Sequence, residues 1–247
     1  MVSLTRLIVV GRRKTYLSTQ VDDMHLETPL YLPSGTTFRV RTSDLNAHKT
    51  WQDGINSRLP AGSNYFIEIG HNGNGNIEFA VRNPASEGVC TPDEAVSWDG
   101  PDATALEFQK PLGTGTDVWP PEFTEYTWSL ACARLDSIGA WFNDNPSAFA
   151  AVSHTFSHLS LNNATYSDVN KESYFNIAWL QQIGLWTSNK FSPEGLIPPA
   201  ITGLRNGDAI QAWNDNGIHY VVGDNTRPSL RNPVSCGAQV QHSWRRR

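Results

Sequence analysis

The second half of the chain alternates short apolar runs with helical patterns, and this alternation constrains the fold more than any other feature. Residues 149–152 and 218–222 are short and apolar, as is typical of buried strands. Residues 169–185 place apolar side chains at helical spacing behind a cap at Asp168, and residues 208–216 predict a second helix. Strands that alternate with helices favour an α/β fold with a mainly parallel sheet.

The first half of the chain is less regular and predicts shorter elements. Strands are expected at 7–10, 17–21, 37–41 and 65–70, with a short helix from about 47–51 and a longer helix over 126–142. Turn residues dominate from about 80 to 125, which predicts a long loop-rich insertion of the kind that often carries function. Because no linker or repeat interrupts the pattern, we expect one domain over 1–247, with ends that resemble truncations and an aberrant tail at 233–247.

Charge and composition exclude several classes of protein. The formal net charge is −5 and the isoelectric point is about 5.8, whereas a protein that binds nucleic acid needs a basic surface. No apolar stretch reaches the ~18–20 residues of a transmembrane helix, and the apolar run at 7–10 is too short for a signal peptide. An aromatic content of 11% with 17% charged residues is typical of a packed chain, and no feature specifies an oligomer.

The cysteines leave two interpretations open. Cys90, Cys132 and Cys236 have no C-x-x-C spacing, which disfavours a cysteine metal site. One disulfide with a free thiol is typical of an exported protein, and three thiols are typical of a cytosolic one. The low lysine content and the many Trp, Asn, Gly and Ser residues favour secretion.

Two adjacent carboxylates, Asp22 and Asp23, directly follow the apolar run at 17–21. In an open α/β sheet, ligands collect at the carboxyl ends of the strands, so one carboxylate could bind a cation while its neighbour accepts a proton. The alternative is an ordinary turn, in which aspartate is common.

His154 and His158 follow the strand expected at 149–152. On one helical turn, an i, i+4 pair of histidines directs both imidazoles to the same side, as a zinc site requires. The alternative is a pair of structural histidines. The zinc-protease motif H-E-x-x-H does not apply, because Thr155 replaces its glutamate. Together, one aspartate and two histidines form a ligand set with an open position for water, which outlines a hydrolytic site.

These motifs resemble those of the NodB-type polysaccharide deacetylases. Residues 21–23 resemble the first motif of that family, 154–158 resemble its H-[S/T]-x-x-H motif, and 197–199 are similar to its R-x-P-Y motif. The long insertion and the stretches 21–27 and 223–228 resemble a narrower group, the fungal galactosaminogalactan deacetylases. These are secreted enzymes that remove N-acetyl groups from galactosamine in a biofilm exopolysaccharide, and the resemblance extends to about residue 232.

The resemblance implies a distorted, incomplete (β/α) barrel and a metal-dependent polysaccharide deacetylase, a carbohydrate esterase. It implies that Asp23, His154 and His158 bind a divalent metal, with zinc favoured, and that Asp22 is the general base. Its substrate would be an amino-sugar polysaccharide, and the full-length protein would be secreted or located in the cell wall.

The sequence departs from the family pattern in two places. Ile197 stands where the third motif has arginine, and Arg205 or Arg227 could replace that arginine, with Asp224 positioning it or capping a loop. Nothing after Asp224 matches the last motif, which carries the general-acid histidine. The alternative function is therefore a catalytically inactive remnant that binds polysaccharide.

Three further residues are candidates for contact with substrate. His25 could point into the groove, or it could pair with a nearby carboxylate. Trp51 could stack on a sugar ring, as tryptophan faces commonly do, and Pro199 lies in the third motif. The other loop aromatics that could line the groove are Tyr65, Trp98 and Trp119, and the tryptophans expected in the core are Trp128, Trp141, Trp179 and Trp213.

Overall fold

A computed structural model describes residues 17–98, 104, 105 and 108–224. The strands are β1 (Thr19–Val21), β2 (Thr28–Pro29), β3 (Thr37–Phe38), β4 (Ile67–His71), β5 (Ala150–Ser153), β6 (Phe191–Leu196) and β7 (Tyr220–Val221). The helices are α1 (Thr42–Asn56), α2 (Gly73–Val81), α3 (Leu130–Ala133), α4 (Ser137–Asp144), α5 (Tyr166–Gln182) and α6 (Gly207–Asp215), with a 3₁₀ turn at Pro199–Ile201. The strand expected at 7–10, the tail at 233–247, and the candidates Arg227 and Cys236 lie outside the described residues.

Five strands form a parallel sheet in the order β1-β4-β5-β6-β7, and β2 pairs with β3 in a separate antiparallel hairpin. The sheet curls into about half of a barrel, which confirms the expected α/β fold with an incomplete barrel. The register between β5 and β6 shifts between Val152 and Ser153, immediately before His154. Since all five strands are parallel, their carboxyl ends lie at one edge of the sheet, where ligands are expected.

One face of the sheet is covered by helices and contains an aromatic core. Ile67 and Ile69 of β4 are buried in this core. Its largest fully buried side chains include Phe142, Phe156, Phe175, Trp128 and Trp179. By the alternation of a strand, Glu68 points to the other face, which borders a cavity of about 470 Å³. None of the described helices is long and apolar enough to span a membrane.

Two helices begin or end where the sequence did not predict. Helix α1 runs from Thr42 to Asn56 and is longer than the short helix expected at 47–51, since Gly54 is accommodated inside it. Helix α5 begins after Thr165, whose hydroxyl accepts the backbone N–H of Asp168. Asp168 is therefore not the N-cap; its carboxylate instead accepts hydrogen bonds from an incoming loop.

The prediction of one helix over 126–142 is wrong, because the segment forms two short helices. Ser129 caps α3, and Asp136 caps α4 by accepting the backbone N–H groups of Ile138 and Gly139. The side chain of a capping residue satisfies donors that a continuous helix would pair with its own carbonyls. The sequence also did not predict α2 or β6, whose glycine and proline content conceals their patterns.

The described residues between α2 and α3 contain no helix or strand beyond a single bridge between Lys110 and Asn206. Acidic residues in the first turns of α5 and α6 bind this segment through their carboxylates. The carboxylate of Asp208 pairs with Lys110 at 2.5 Å, and that of Asp168 accepts the backbone N–H of Trp119 at 3.0 Å. A disulfide between Cys90 and Cys132 links it to α3.

Candidate metal centre

Both candidate carboxylates lie at the carboxyl end of β1. Asp22 is exposed, and Asp23, with a left-handed backbone (φ 54°), is partly exposed. Gly70 on the neighbouring strand allows this approach: a Cβ placed there would lie 3.4 Å from the Cα of Asp22 and 3.3 Å from the Cβ of His154. The strand ends are therefore packed closely enough to bring their side chains into one site.

His154 and His158 lie in the loop after β5, so the expectation that they share a helical turn is wrong. Thr155 (φ 61°) and His158 (φ 64°) adopt left-handed backbone conformations, which a helix excludes. The loop nevertheless directs both rings to the same point, with centroids 5.0 Å apart. The Nε2 atoms of His154 and His158 lie 3.1 Å and 3.2 Å from one carboxylate oxygen of Asp23.

The tautomer of His154 indicates that a cation fits this site. Its Nδ1 lies 2.7 Å from the backbone carbonyl of Ile197, which can only accept, so Nδ1 carries the proton. The close contact of Nε2 with the Asp23 carboxylate then needs a cation between the two atoms, either a proton on Nε2 that makes a hydrogen bond or a metal ion in its place. The donor atoms of Asp23, His154 and His158 all lie within 4.8 Å of one another. The residues present thus fit a divalent metal of the zinc type.

The same contacts shift the ionisation of the ligand groups. Hydrogen bonds with His154 and then His158 hold the pKa of the Asp23 carboxyl well below its usual range, against the effect of burial. Burial lowers the pKa of His158, but the hydrogen bond with Asp23 and the charges of Asp23, Glu172 and Asp22 outweigh it, so that pKa is raised. The Asp23 carboxylate is therefore available as an anionic ligand at neutral pH.

The candidates of the third motif lie along the loops after β6 and β7. Pro199 is buried and follows the carbonyl of Ile197, and the next two residues have left-handed backbones (Ala200 φ 48°, Ile201 φ 55°). Arg205 is half-buried in the turn before α6, and Asp224 follows β7. The catalytic roles of Arg205 and Asp224, and the substrate contact of Pro199, stay predictions. The Ile197 carbonyl was missed because a backbone contact leaves no side-chain signal in the sequence.

His25 does not line a groove, and this expectation is corrected. Its ring is fully buried, and its Nε2 lies 3.0 Å from Nδ1 of His71 rather than beside a carboxylate. The rings of Phe142 and Trp179 surround the pair. Burial, followed by the charge of Arg39, lowers the pKa of His25 to about 3, so the ring is neutral and inaccessible to substrate.

The loop aromatics are distributed over different parts of the molecule. Trp51 is 49% exposed on α1 and packs edge-on against Tyr65, two residues before β4. It therefore lies towards the amino end of the sheet, away from Asp23 and the histidines, and its contact with substrate stays a prediction. Trp119 is buried against Phe175, so the expectation that it lines the groove is wrong. The four tryptophans expected in the core are all buried.

Comparison with known proteins identifies relatives of this chain and its fold. The family model described as the Agd3 deacetylase domain matches residues 17–240. A crystal structure of Agd3, described as a novel carbohydrate deacetylase, superimposes with a TM-score of 0.85 at 51% sequence identity and covers 92% of this chain. The chain spans only 34% of the length of that structure. No curated protein matches the sequence.

Proposed function

Because the chain belongs to the Agd3 deacetylase domain family, we propose that it is a metal-dependent carbohydrate deacetylase. Its substrate class is an N-acetylated amino-sugar exopolysaccharide, and galactosaminogalactan is the polymer favoured by the motif resemblance. The observation that carries the proposal is the convergence of two histidine Nε2 atoms on one carboxylate oxygen of Asp23, 3.1 Å and 3.2 Å away.

In this proposal, Asp23, His154 and His158 hold a zinc ion. When bound, zinc lowers the pKa of a water molecule and polarises a carbonyl group. Asp22 is the neighbouring carboxylate that is not engaged with the histidines in the described structure, and it accepts the proton of the attacking water. The amide C–N bond of the acetamido group breaks, acetate is released, and the sugar nitrogen takes up the proton that Asp22 accepted and leaves as an amine.

The Ile197 carbonyl orients this chemistry. By accepting the Nδ1 proton of His154 at 2.7 Å, it fixes the tautomer and the plane of the ring. Without this contact the ring could present either nitrogen to a metal. The residue that replaces the family arginine by sequence position therefore contributes through its backbone, whereas its side chain packs against Gly70.

The proposed location is outside the cytosol, in the secreted fraction or the cell wall. The disulfide between Cys90 and Cys132 supports this location, because such bonds persist in oxidising compartments and are rare in cytosolic proteins. A thiol titration of the denatured, unreduced protein secreted from a eukaryotic host should find one free thiol for the three cysteines of the chain. Three free thiols would refute the Cys90–Cys132 disulfide, and with it the support for the proposed location.

The test measures zinc content and acetate release in the same samples. Wild-type protein is compared with a His154→Ala/His158→Ala variant and with a matched control, His48→Ala/His219→Ala, whose two histidines are exposed. Zinc is measured by plasma mass spectrometry, and acetate by release from an N-acetylgalactosamine polymer. We expect about one zinc and acetate release from the wild type and control, and loss of both from the site variant.

Two other outcomes would refute the site assignment or support the alternative function. Retention of stoichiometric zinc by the His154→Ala/His158→Ala variant would refute the site assignment. Zinc in the wild type without acetate release, together with binding of the polymer, would instead support the alternative of a non-catalytic polysaccharide-binding domain.

A further inference from the structure

A buried carboxylate contacts the segment between the two histidines of the proposed metal centre. Glu172 on α5 is fully buried, and its Oε2 accepts the backbone N–H groups of Phe156 and Ser157, both at 2.9 Å. Its Oε1 accepts the hydroxyl of Ser157. The sequence offered no signal for this role, because Glu172 lies within an amphipathic helix and outside every motif.

These contacts fix the short turn that separates the two ligands. The turn comprises residues 155–157 and begins with Thr155 in a left-handed conformation, which is unfavourable for a β-branched residue. Two adjacent backbone N–H groups that point to one carboxylate hold such a turn in place. Because His154 and His158 flank the turn, its geometry sets the separation and orientation of their rings.

A carboxylate at this position is costly unless it has a specific role. Burial raises the pKa of Glu172 to about 7, and hydrogen bonds, among them those from Ser157 and Phe156, partly counter the loss of solvent. An apolar side chain could fill the same space, but it could not accept the three hydrogen bonds from Phe156 and Ser157.

We propose that Glu172 is a positioning residue for the metal centre, which holds His154 and His158 in ligand geometry through the turn between them. This inference rests on the proposed function. Residues that orient metal ligands indirectly typically change metal affinity by 10- to 100-fold when they are replaced.

The test compares two equivalent substitutions on the same helix. Glu172→Met keeps approximately the length of the side chain but removes both oxygens that accept the donors of the turn. Asp168→Leu is the matched control, because Asp168 is also fully buried on α5 and accepts backbone N–H groups, but from Val118 and Trp119. Zinc affinity is measured by competition with a chromophoric chelator, and the visible absorption spectrum of the cobalt-substituted protein reports the ligand geometry.

We expect Glu172→Met to bind zinc 10- to 100-fold more weakly and to alter the cobalt spectrum, while Asp168→Leu keeps the affinity within about twofold of the wild type. Wild-type affinity and spectrum in Glu172→Met would overturn the inference. A wild type that binds no zinc would instead refute the proposed metal dependence, so the two failures are distinguishable.

A milder variant keeps the test decisive if Glu172→Met does not fold. Ser157→Ala removes only the hydroxyl that donates to Glu172 and leaves the carboxylate in place. We expect it to weaken zinc binding about two- to fivefold, in line with the loss of one charge-assisted hydrogen bond. Unchanged zinc affinity in this variant would also overturn the inference.

Discussion

The carboxylate of Asp136 joins three parts of the chain, and its removal gives a quantitative test of the fold. Both oxygens pair with the guanidinium of Arg39, at 2.7 Å and 2.8 Å, and one also accepts the side-chain amide of Asn76 at 3.0 Å. The same carboxylate caps α4 through the backbone N–H of Gly139. Arg39 in turn donates to the backbone carbonyl of His25, two residues after Asp23.

We expect Asp136→Ala to be strongly destabilising because it leaves a buried cation without its carboxylate partner. The side chains of Arg39 and Asp136 are only 14% and 2% exposed. Breaking a buried pair by removing one partner costs about 3–5 kcal/mol, and loss of the helix cap adds about 1 kcal/mol. For a chain of this size, 1 kcal/mol corresponds to roughly 2–4 °C in melting temperature, so we expect a decrease of roughly 8–24 °C.

The matched control is Asp53→Ala, which breaks an exposed ion pair. Asp53 lies 2.8 Å from Lys49, but the side chains are 60% and 42% exposed. Exposed pairs contribute about 0–1 kcal/mol, so the melting temperature should change by no more than about 4 °C. The assay is thermal unfolding followed by circular dichroism. Equal shifts in the two variants would refute the reasoning from burial, as would an Asp136→Ala/Arg39→Met double variant no more stable than Asp136→Ala alone.

Two further predictions concern the core around the site. Gly73→Ala should lower the free energy of unfolding by about 1–3 kcal/mol, because the added Cβ would lie 2.7 Å from the Trp179 ring. An unchanged free energy of unfolding on urea denaturation would contradict this packing. Between pH 6.5 and 5, the metal-free protein should lose stability. The unfolded chain gains protons on His25 and His71 there, whereas burial lowers the pKa of both rings in the folded chain and keeps them neutral. Glu172, Glu78 and His158, whose pKa values are raised, have the opposite effect and reduce the net loss to less than about 1 kcal/mol per pH unit. Urea denaturation with no loss of stability over this range would contradict the prediction.

The parts of the site that the sequence predicts are those that depend on strand order alone. Asp23 and His154 each follow an apolar run, and parallel strands bring such positions to one edge of the sheet whatever the loop conformation. The i, i+4 spacing of His154 and His158 indicates convergence even though no helix forms. The aromatic core is equally predictable, since a large apolar side chain gains most by burial wherever its segment folds.

The parts that the sequence did not predict depend on contacts between distant residues. His25 pairs with His71, 46 residues away, and no local pattern encodes this partner. Helix α2 begins with a Gly-Asn-Gly-Asn sequence, which local propensity assigns to a turn. Its start is fixed from outside, because Asn176 accepts the backbone N–H of Gly73 and Asn76 accepts the indole N–H of Trp179. Tertiary contacts override local preference at each of these positions.

The geometry of the proposed metal ligands arises largely from residues that belong to no motif. The side chain of Asn72 donates to the backbone carbonyls of His154 and Thr155, and the backbone N–H of Asn74 donates to the carbonyl of Phe156 at 2.9 Å. With the hydrogen bonds that Glu172 accepts on the other side, the turn is held at both its donors and its acceptors. Because the turn is fixed before any metal arrives, little ordering entropy should oppose binding. A chain that kept the H-x-x-x-H spacing but lost these contacts would therefore keep the motif and lose the affinity.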